Sequence, residues 1–145
     1  MADQTTQHLR IQAPRAAIWE VLTDFERYTD RARDLKQVDV IERDEQGRAT
    51  VVHFRAAGMG RSTSYTLRYQ WDDAPDRLPW ELVEGDIMRV LDGAYELAER
   101  DGGTDVTYHL RVDLVVPLPG FVKRRAEARI VSTALRDLSD HLTTS

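Results

Sequence analysis

From residue 35 onward apolar and polar residues alternate with a period of two, and they keep doing so for about eighty residues. That period belongs to strands whose two faces meet different surroundings. Ahead of it, "QTTQHLRIQ" (4–12) alternates as well and predicts a first strand. Between the two, "APRAAIWEVLTDF" (13–25) changes period: Ile18, Val21, Leu22 and Phe25 recur at helical spacing, and Pro14 suits the first turn of an amphipathic helix. A second short helix is predicted within "ERYTDRARDL" (26–35).

Turn signals cut the long alternating region into six strands, each bounded by glycine, proline or aspartate clusters. "KQVDVIER" ends at Asp44–Gly47, "ATVVHFRAA" at Gly58-Met59-Gly60, "STSYTLRYQW" at Asp72–Asp76 and "PWELVE" at Gly85-Asp86. "IMRVLDGAYELAER" ends at Asp101-Gly102-Gly103, and "TDVTYHLRVDLVV" at Pro117. Short connections between successive strands predict an antiparallel meander. Asp92-Gly93 falls inside the fifth of these strands and is expected to be a β-bulge, because a turn there would leave two very short strands.

Helical spacing returns at Pro119 and continues to Leu142, a helix of about 36 Å. Phe121, Ala128, Val131, Leu135, Leu138 and Leu142 are expected on one apolar stripe, flanked by Ile130 and Ala134. Such a helix needs a surface to lie on, and the sheet is the one available. The expected fold is α+β: a seven-stranded curved antiparallel sheet, two short N-terminal helices and a long C-terminal helix, all in a single domain over 1–145.

Composition narrows the possibilities. The chain has 145 residues, enough to bury a sizeable core, and 41% of them are hydrophobic against 31% charged. It contains no cysteine, which excludes disulfides, thiolate metal sites and a cysteine nucleophile. No apolar run with a cleavage site opens the chain and none is long enough to span a bilayer, so a cytoplasmic location is expected. A net charge of −5 with interspersed signs argues against nucleic-acid binding.

Three segments, "APRAAIWEVLTDFERY" (13–28), "WELVEGDIMRVLDGAYEL" (80–97) and "VTYHLRVDLVVPLPGFVKRRAE" (106–127), together with the order of elements, resemble the SRPBCC superfamily. The similarity is to the START-like or Bet v 1-like helix-grip fold, and within it to the bacterial polyketide cyclase/dehydrase and coenzyme-Q-binding-like branch. It spans nearly the whole chain. The resemblance implies a curved sheet gripping the C-terminal helix with a hydrophobic cavity between them. It assigns no catalytic residue, because the acting groups differ between subgroups of the superfamily.

Alternation sorts the side chains independently of that resemblance. Val106, Tyr108, Leu110, Val112 and Leu114 share one face of the last strand, which is expected to meet the helix, while Thr107, His109, Arg111 and Asp113 share the other. By the same rule Tyr65, Leu67, Tyr69, Trp71, Trp80, Leu82, Tyr95 and Leu97 point inward. These aromatics either fill a core or line a pocket. Four inward tyrosines under a helix carrying the small residues Ala128 and Ala134 favour a pocket with a few convergent hydroxyls. The expected ligand-binding residues are Tyr65, Tyr69, Trp80, Glu84, Tyr95, Tyr108, Leu110, Arg124, Ala128 and Leu135.

Glu84, Asp86 and Arg89 flank the Gly85 turn, and a carboxylate beside an arginine there is either a solvated turn or a polar anchor at a pocket rim. Gly58-Met59-Gly60 precedes a strand, so it lacks the helix N-terminus of a phosphate loop and suits a hairpin at the pocket mouth. The histidines at 8, 53, 109 and 141 fit no metal template. No G-x-S-x-G elbow is present. Lys123, Arg124 and Arg125 open the last helix where its dipole disfavours cations. Arg124 is placed on the inward stripe, where it either pairs with Glu127 or recognises a ligand oxygen at the mouth.

The expected function is binding of a hydrophobic small molecule, a lipid, quinone or polyketide-like ring system, without cofactor or metal. The alternative is an aromatase/cyclase that closes and dehydrates a poly-ketone chain, served by an acyl carrier protein, with Tyr65, Tyr69, Tyr108, Glu84 and Arg124 as proton-handling suspects. "PGFVKRR" supports at most a transient membrane contact, because one Phe, one Val and three cations make a weak anchor.

Overall fold

The computed structural model describes residues 3–31, 35–58, 61–115 and 119–144. Strand β1 (Asp3–Ile11) is followed by helix α1 (Arg15–Thr23), a single 3-10 turn (Phe25–Arg27) and the one-turn helix α2 (Tyr28–Arg31). Then come β2 (Leu35–Arg43), β3 (Ala49–Gly58), β4 (Arg61–Tyr69), β5 (Arg77–Gly85), β6 (Met88–Arg100), β7 (Gly103–Leu114) and helix α3 (Gly120–Thr144). All seven strands form one antiparallel sheet in the order β1-β7-β6-β5-β4-β3-β2, so the meander is closed at one side by the first strand pairing with the last. This is the helix-grip architecture expected from the sequence. Met59, Gly60 and Pro117, invoked above as turn residues, lie outside the described residues, as do the side chains of Val131, His141 and Leu142.

Alternation predicts the buried face well. Val106, Tyr108, Leu110, Val112 and Leu114 are all buried, whereas Arg111 between them is exposed. Leu78 is fully buried and extends β5 two residues ahead of its expected start. Ile18, Leu22 and Phe25 bring α1 and the following turn onto the same core. Pro14 is the N-cap of α1 in extended conformation and α1 begins at Arg15, one residue later than expected.

Two expectations are corrected. β6 pairs with β7 without interruption from Val90 to Arg100, so Asp92-Gly93 is no bulge; the register shift lies between Met88 and Val90. Gly93 stands straight opposite Trp80 on one side and Leu110 on the other. A Cβ there would sit 2.7 Å from the Trp80 ring and 2.3 Å from the His109 carbonyl oxygen, which is why the strand carries glycine at that point.

The second correction concerns α3. Among its described side chains, Ala126, Glu127, Leu135, Asp137 and Leu138 are buried, with Ile130 and Ala134 packed against the core. Phe121, Arg124 and Ala128 are exposed. The inward stripe is thus rotated from the expected one: the fold buries Glu127, expected beside the stripe only as a partner for Arg124, and Asp137 as well. α3 lies chiefly along β1 and β7, with α1 and α2 beside it.

The topology also separates two ends of the molecule. The β2–β3, β4–β5 and β6–β7 connections share one end, and they carry Asp44, Glu45, Asp72, Asp73, Asp76 and Asp101. The β5–β6 turn, the end of β7 and the start of α3 share the other.

Candidate functional site

The concave face carries a continuous file of aromatic rings that crosses five strands. Tyr65 on β4 stacks on Phe54 of β3, with centroids 5.3 Å apart and planes 18° from parallel. Phe54 leads to Tyr28 at 6.1 Å, Tyr28 to Phe25 at 4.9 Å, and Phe25 to Tyr69 at 4.6 Å. Tyr69 meets Trp80 of β5 at 6.0 Å, and Trp80 meets Tyr95 of β6 at 5.4 Å and Tyr108 of β7 at 5.6 Å. Tyr95 and Tyr108 close the file edge to face at 4.8 Å. These tilted and edge-on geometries are those that the ring quadrupoles favour.

The register makes this file. Tyr69 is paired with Trp80, and Tyr95 with Tyr108, so neighbouring strands place large rings side by side on one face. Gly93 between them frees the volume that the indole fills. Helical residues then close the row: Phe25 and Tyr28 reach down from the 3-10 turn and α2, and the Tyr28 hydroxyl donates to the Leu22 carbonyl. Phe25, Tyr28 and Phe54 were not among the sequence candidates. Their place is set by how the short helices dock across the sheet, a long-range relationship that periodicity does not carry.

Burial sets the chemistry of the phenols. Desolvation first, and then the neighbouring Tyr95, push the Tyr65 hydroxyl well above the ordinary phenol range. Tyr69 is raised likewise by desolvation, then by Tyr28, Tyr95, Tyr65 and Tyr108. At neutral pH both are protonated groups able to donate one hydrogen bond and accept another. Leu110 and Leu135 add apolar walls from β7 and α3. Glu127, a buried carboxylate on α3, was considered from sequence only as a partner for Arg124; its burial shows instead that it belongs to the interior face of the helix.

Three sequence candidates stand elsewhere. A register shift on β5 places Leu82 opposite Leu67 but Glu84 opposite Thr66, so one extra residue moves Glu84 to the convex face. There it lies in line with His53, which is hydrogen-bonded through Nδ1 to Thr66 Oγ1 at 2.9 Å. Arg124 is exposed and does not share the buried face of Glu127, and Ala128 is exposed one turn further on. The rim turn is ordered by its own carboxylate: Asp86 accepts from the Thr63 hydroxyl and from the Ser64 amide at 3.0 Å. Desolvation raises the Asp86 carboxyl, but these bonds and the Ile87 amide outweigh it and hold the group below the usual carboxylate range.

His8 and His109 also serve the convex face. His8 Nδ1 is 3.0 Å from Thr107 Oγ1, and His109 lies 3.2 Å from Thr6 Oγ1 and 2.5 Å from Glu96. Among the described residues no group of three metal-ligating side chains comes together. On the same outer side, a cleft of ≈ 720 Å³ lies between the β4–β5 turn and β6 and β7, lined by Asp72, Asp76, Arg77, Glu96, Asp105 and Thr107 among others. Its charges are paired in part: Arg15 with Asp76, Arg77 with Glu96, and Arg10 and Arg100 with Asp105. No helix among the described residues is long and apolar enough to cross a membrane.

Known structures share this architecture. A START superfamily protein from Mycobacterium smegmatis is 16% identical with a TM-score of 0.89, each chain covered over 97%. The Zhui aromatase/cyclase from Streptomyces sp. R1128 is 19% identical with a TM-score of 0.80, over 95% of this chain and 90% of that one. The major latex-like protein 151 of Panax ginseng is 15% identical with a TM-score of 0.74, over 97% of both. At these identities the likeness is one of fold. No curated protein sequence matches significantly. The sequence model of one family, described as polyketide cyclase / dehydrase and lipid transport, matches residues 11–139, nearly the whole folded region. By that match, the chain belongs to the polyketide cyclase / dehydrase and lipid transport family.

Proposed function

We propose that this protein binds a hydrophobic small molecule, a lipid, quinone or polyketide-like ring system, against the aromatic concave face beneath α3, in the cytoplasm and without a cofactor. The observation that carries this reading is the continuous file from Tyr65 to Tyr108, in which apolar ring surface alternates with phenol hydroxyls. Rings of this kind offer broad contact to a flat or chain-like ligand, and a few hydroxyls orient its oxygens. Tyr65, Tyr69, Trp80, Tyr95, Tyr108, Leu110 and Leu135 are the contact residues in this reading.

Native mass spectrometry of the purified protein, followed by solvent extraction, tests it. A discrete adduct near one-to-one, released as a hydrophobic compound, is the expected result. A clean unliganded mass, together with no change in tryptophan fluorescence on adding long-chain quinones, fatty acids or polycyclic aromatic polyketides, overturns it.

A cyclase reading has one observation of its own: Tyr65 and Tyr69 stay protonated inside the fold, and Glu127 is a carboxylate buried on the covering helix. In such a site a phenol donates a hydrogen bond to a ketone oxygen while a carboxylate removes the adjacent carbon-bound proton. The carbanion closes on a second carbonyl, and loss of water completes the ring. Glu84 and Arg124 drop out of that scheme by position. Incubation with a poly-ketone chain tethered to an acyl carrier protein tests it; an aromatic product whose formation falls in Tyr69→Phe supports it, and a product mixture unchanged by the protein excludes it.

A further inference from the structure

Four large apolar side chains stand exposed among the described residues, Ile41, Val83, Val115 and Phe121, and three of them lie at the end of the molecule where α3 begins. Phe121 is 62% exposed and Val115 44%. The same end holds the cations that the helix dipole disfavours. Lys123 lies 3.8 Å from Asp113 and Arg89 lies 3.9 Å from the same carboxylate, so one acid on β7 ties the first turn of α3 to the β5–β6 turn. The Val115 amide donates to the Ile87 carbonyl at 2.8 Å and fixes the end of β7 beside that turn. Arg124 and Arg125 remain exposed next to Phe121. The opposite end carries the acidic turns, Asp72, Asp73 and Asp76 foremost.

We propose that this end is a docking surface for an anionic phospholipid bilayer, with Phe121 and Val115 entering the headgroup region and Arg89, Arg124 and Arg125 facing the lipid charges. The inference is independent of which ligand the concave face holds. Charge complementarity selects the partner: in a chain of net charge −5, this end presents Arg89, Arg124 and Arg125 while the opposite end carries the acidic turns, so an anionic membrane orients the molecule with those turns outward. Two isolated prongs on a convex end bury too little for a stable protein interface, which needs roughly 800 Å² per partner. A deformable bilayer accepts such prongs without a matching groove.

Co-sedimentation with vesicles tests the proposal, using phosphatidylcholine alone and phosphatidylcholine mixed with phosphatidylglycerol. The full chain is expected to sediment with the mixed vesicles at low salt and to be released as salt rises. Each cation near an anionic surface contributes about fivefold to partitioning, so Arg124→Gln combined with Arg125→Gln lowers it by about twenty-fivefold. Phe121→Ala lowers it by about fivefold, from lost apolar burial. All three side chains are exposed, so circular dichroism of these variants should match that of the parent. Asp72→Asn with Asp73→Asn, at the far end, leaves partitioning within about twofold, because those charges point away from the surface by more than a Debye length. No sedimentation at low salt, equal sedimentation with phosphatidylcholine alone, or indifference to the arginine and phenylalanine variants each overturns the proposal. So does a far-end effect as large as that of the arginines, which would assign any binding to net charge.

Discussion

The indole of Trp80 occupies the space that a side chain on Gly93 would need. A Cβ at Gly93 would come within 2.7 Å of its ring, and the His109 carbonyl blocks the alternative at 2.3 Å. Neither neighbour yields easily: one is a buried ring held by Tyr69, Tyr95 and Tyr108, the other is backbone of β7. Gly93→Ala is therefore expected to destabilise the protein by about 1–3 kcal/mol through overpacking, despite the better intrinsic strand preference of alanine. Chemical denaturation measures it, and an unchanged midpoint would show that the indole can move aside.

Tyr69 sits between Phe25 at 4.6 Å and Trp80 at 6.0 Å, joining the helical rings to the strand rings. Removing the ring leaves a void in a row that cannot collapse from both sides at once. Tyr69→Ala is expected to cost about 3–5 kcal/mol, in line with other large aromatic deletions. Tyr69→Phe keeps the ring and is expected to cost far less. Comparing the two by thermal and denaturant unfolding separates packing from the hydroxyl; equal losses would mean that the hydroxyl, and not the ring, holds the row.

The parts legible in the sequence were those governed by local periodicity. Tyr108, Leu110 and their alternate neighbours on β7 face inward because a strand in regular register has no other choice. Glu84 was expected at the rim, as a polar anchor or part of a solvated turn; a single extra residue on β5, which nothing in "WELVEG" marks, turns it to the convex face, where it is exposed. Arg124 and Ala128 were misplaced for a different reason. The expected stripe of α3 runs through Phe121, Arg124 and Ala128, with Glu127 beside it only as a partner for Arg124, whereas the fold buries Glu127 and Asp137 and leaves those three exposed. The decision rests on tertiary contacts with β1, β7, α1 and α2. The aromatic file was half visible: its strand members alternate, but Phe25, Tyr28 and Phe54 enter through docking.

The buried phenols give the protein a dependence on alkaline pH with a definite sign. The folded state raises the Tyr65 and Tyr69 values above the 10.0 of an exposed phenol, by desolvation first, so the unfolded state releases these protons earlier. Their contribution to stability is complete below that value and declines as pH rises through the raised folded values. Ultraviolet titration of tyrosinate should accordingly show two phenols that ionise only as the protein unfolds. If all five tyrosines titrate together near the ordinary value with the fold intact, the rings are wetter than their burial indicates.

The ladder between β5 and β6 runs from Arg77 opposite Glu96 only as far as Trp80 opposite Gly93. Beyond it β5 continues against β4 and β6 against β7, and the carboxylate of Asp92 takes the Leu82 amide at 2.9 Å in place of a backbone carbonyl. A side chain thus stands in for a rung of the sheet beside the aromatic file. Asp92→Ala leaves that amide without its acceptor in a partly buried position and is expected to cost about 1–3 kcal/mol. Asp92→Asn retains an oxygen at the same reach and is expected to cost less, since the amide oxygen accepts without charge assistance. Hydrogen exchange at Leu82 is the sharper measurement. Its amide should exchange markedly faster in Asp92→Ala while amides of β6 and β7, whose pairing is intact, keep their protection. Uniform acceleration across β5, β6 and β7 would mean that the substitution loosens the whole sheet, and that Asp92 holds more than this one rung.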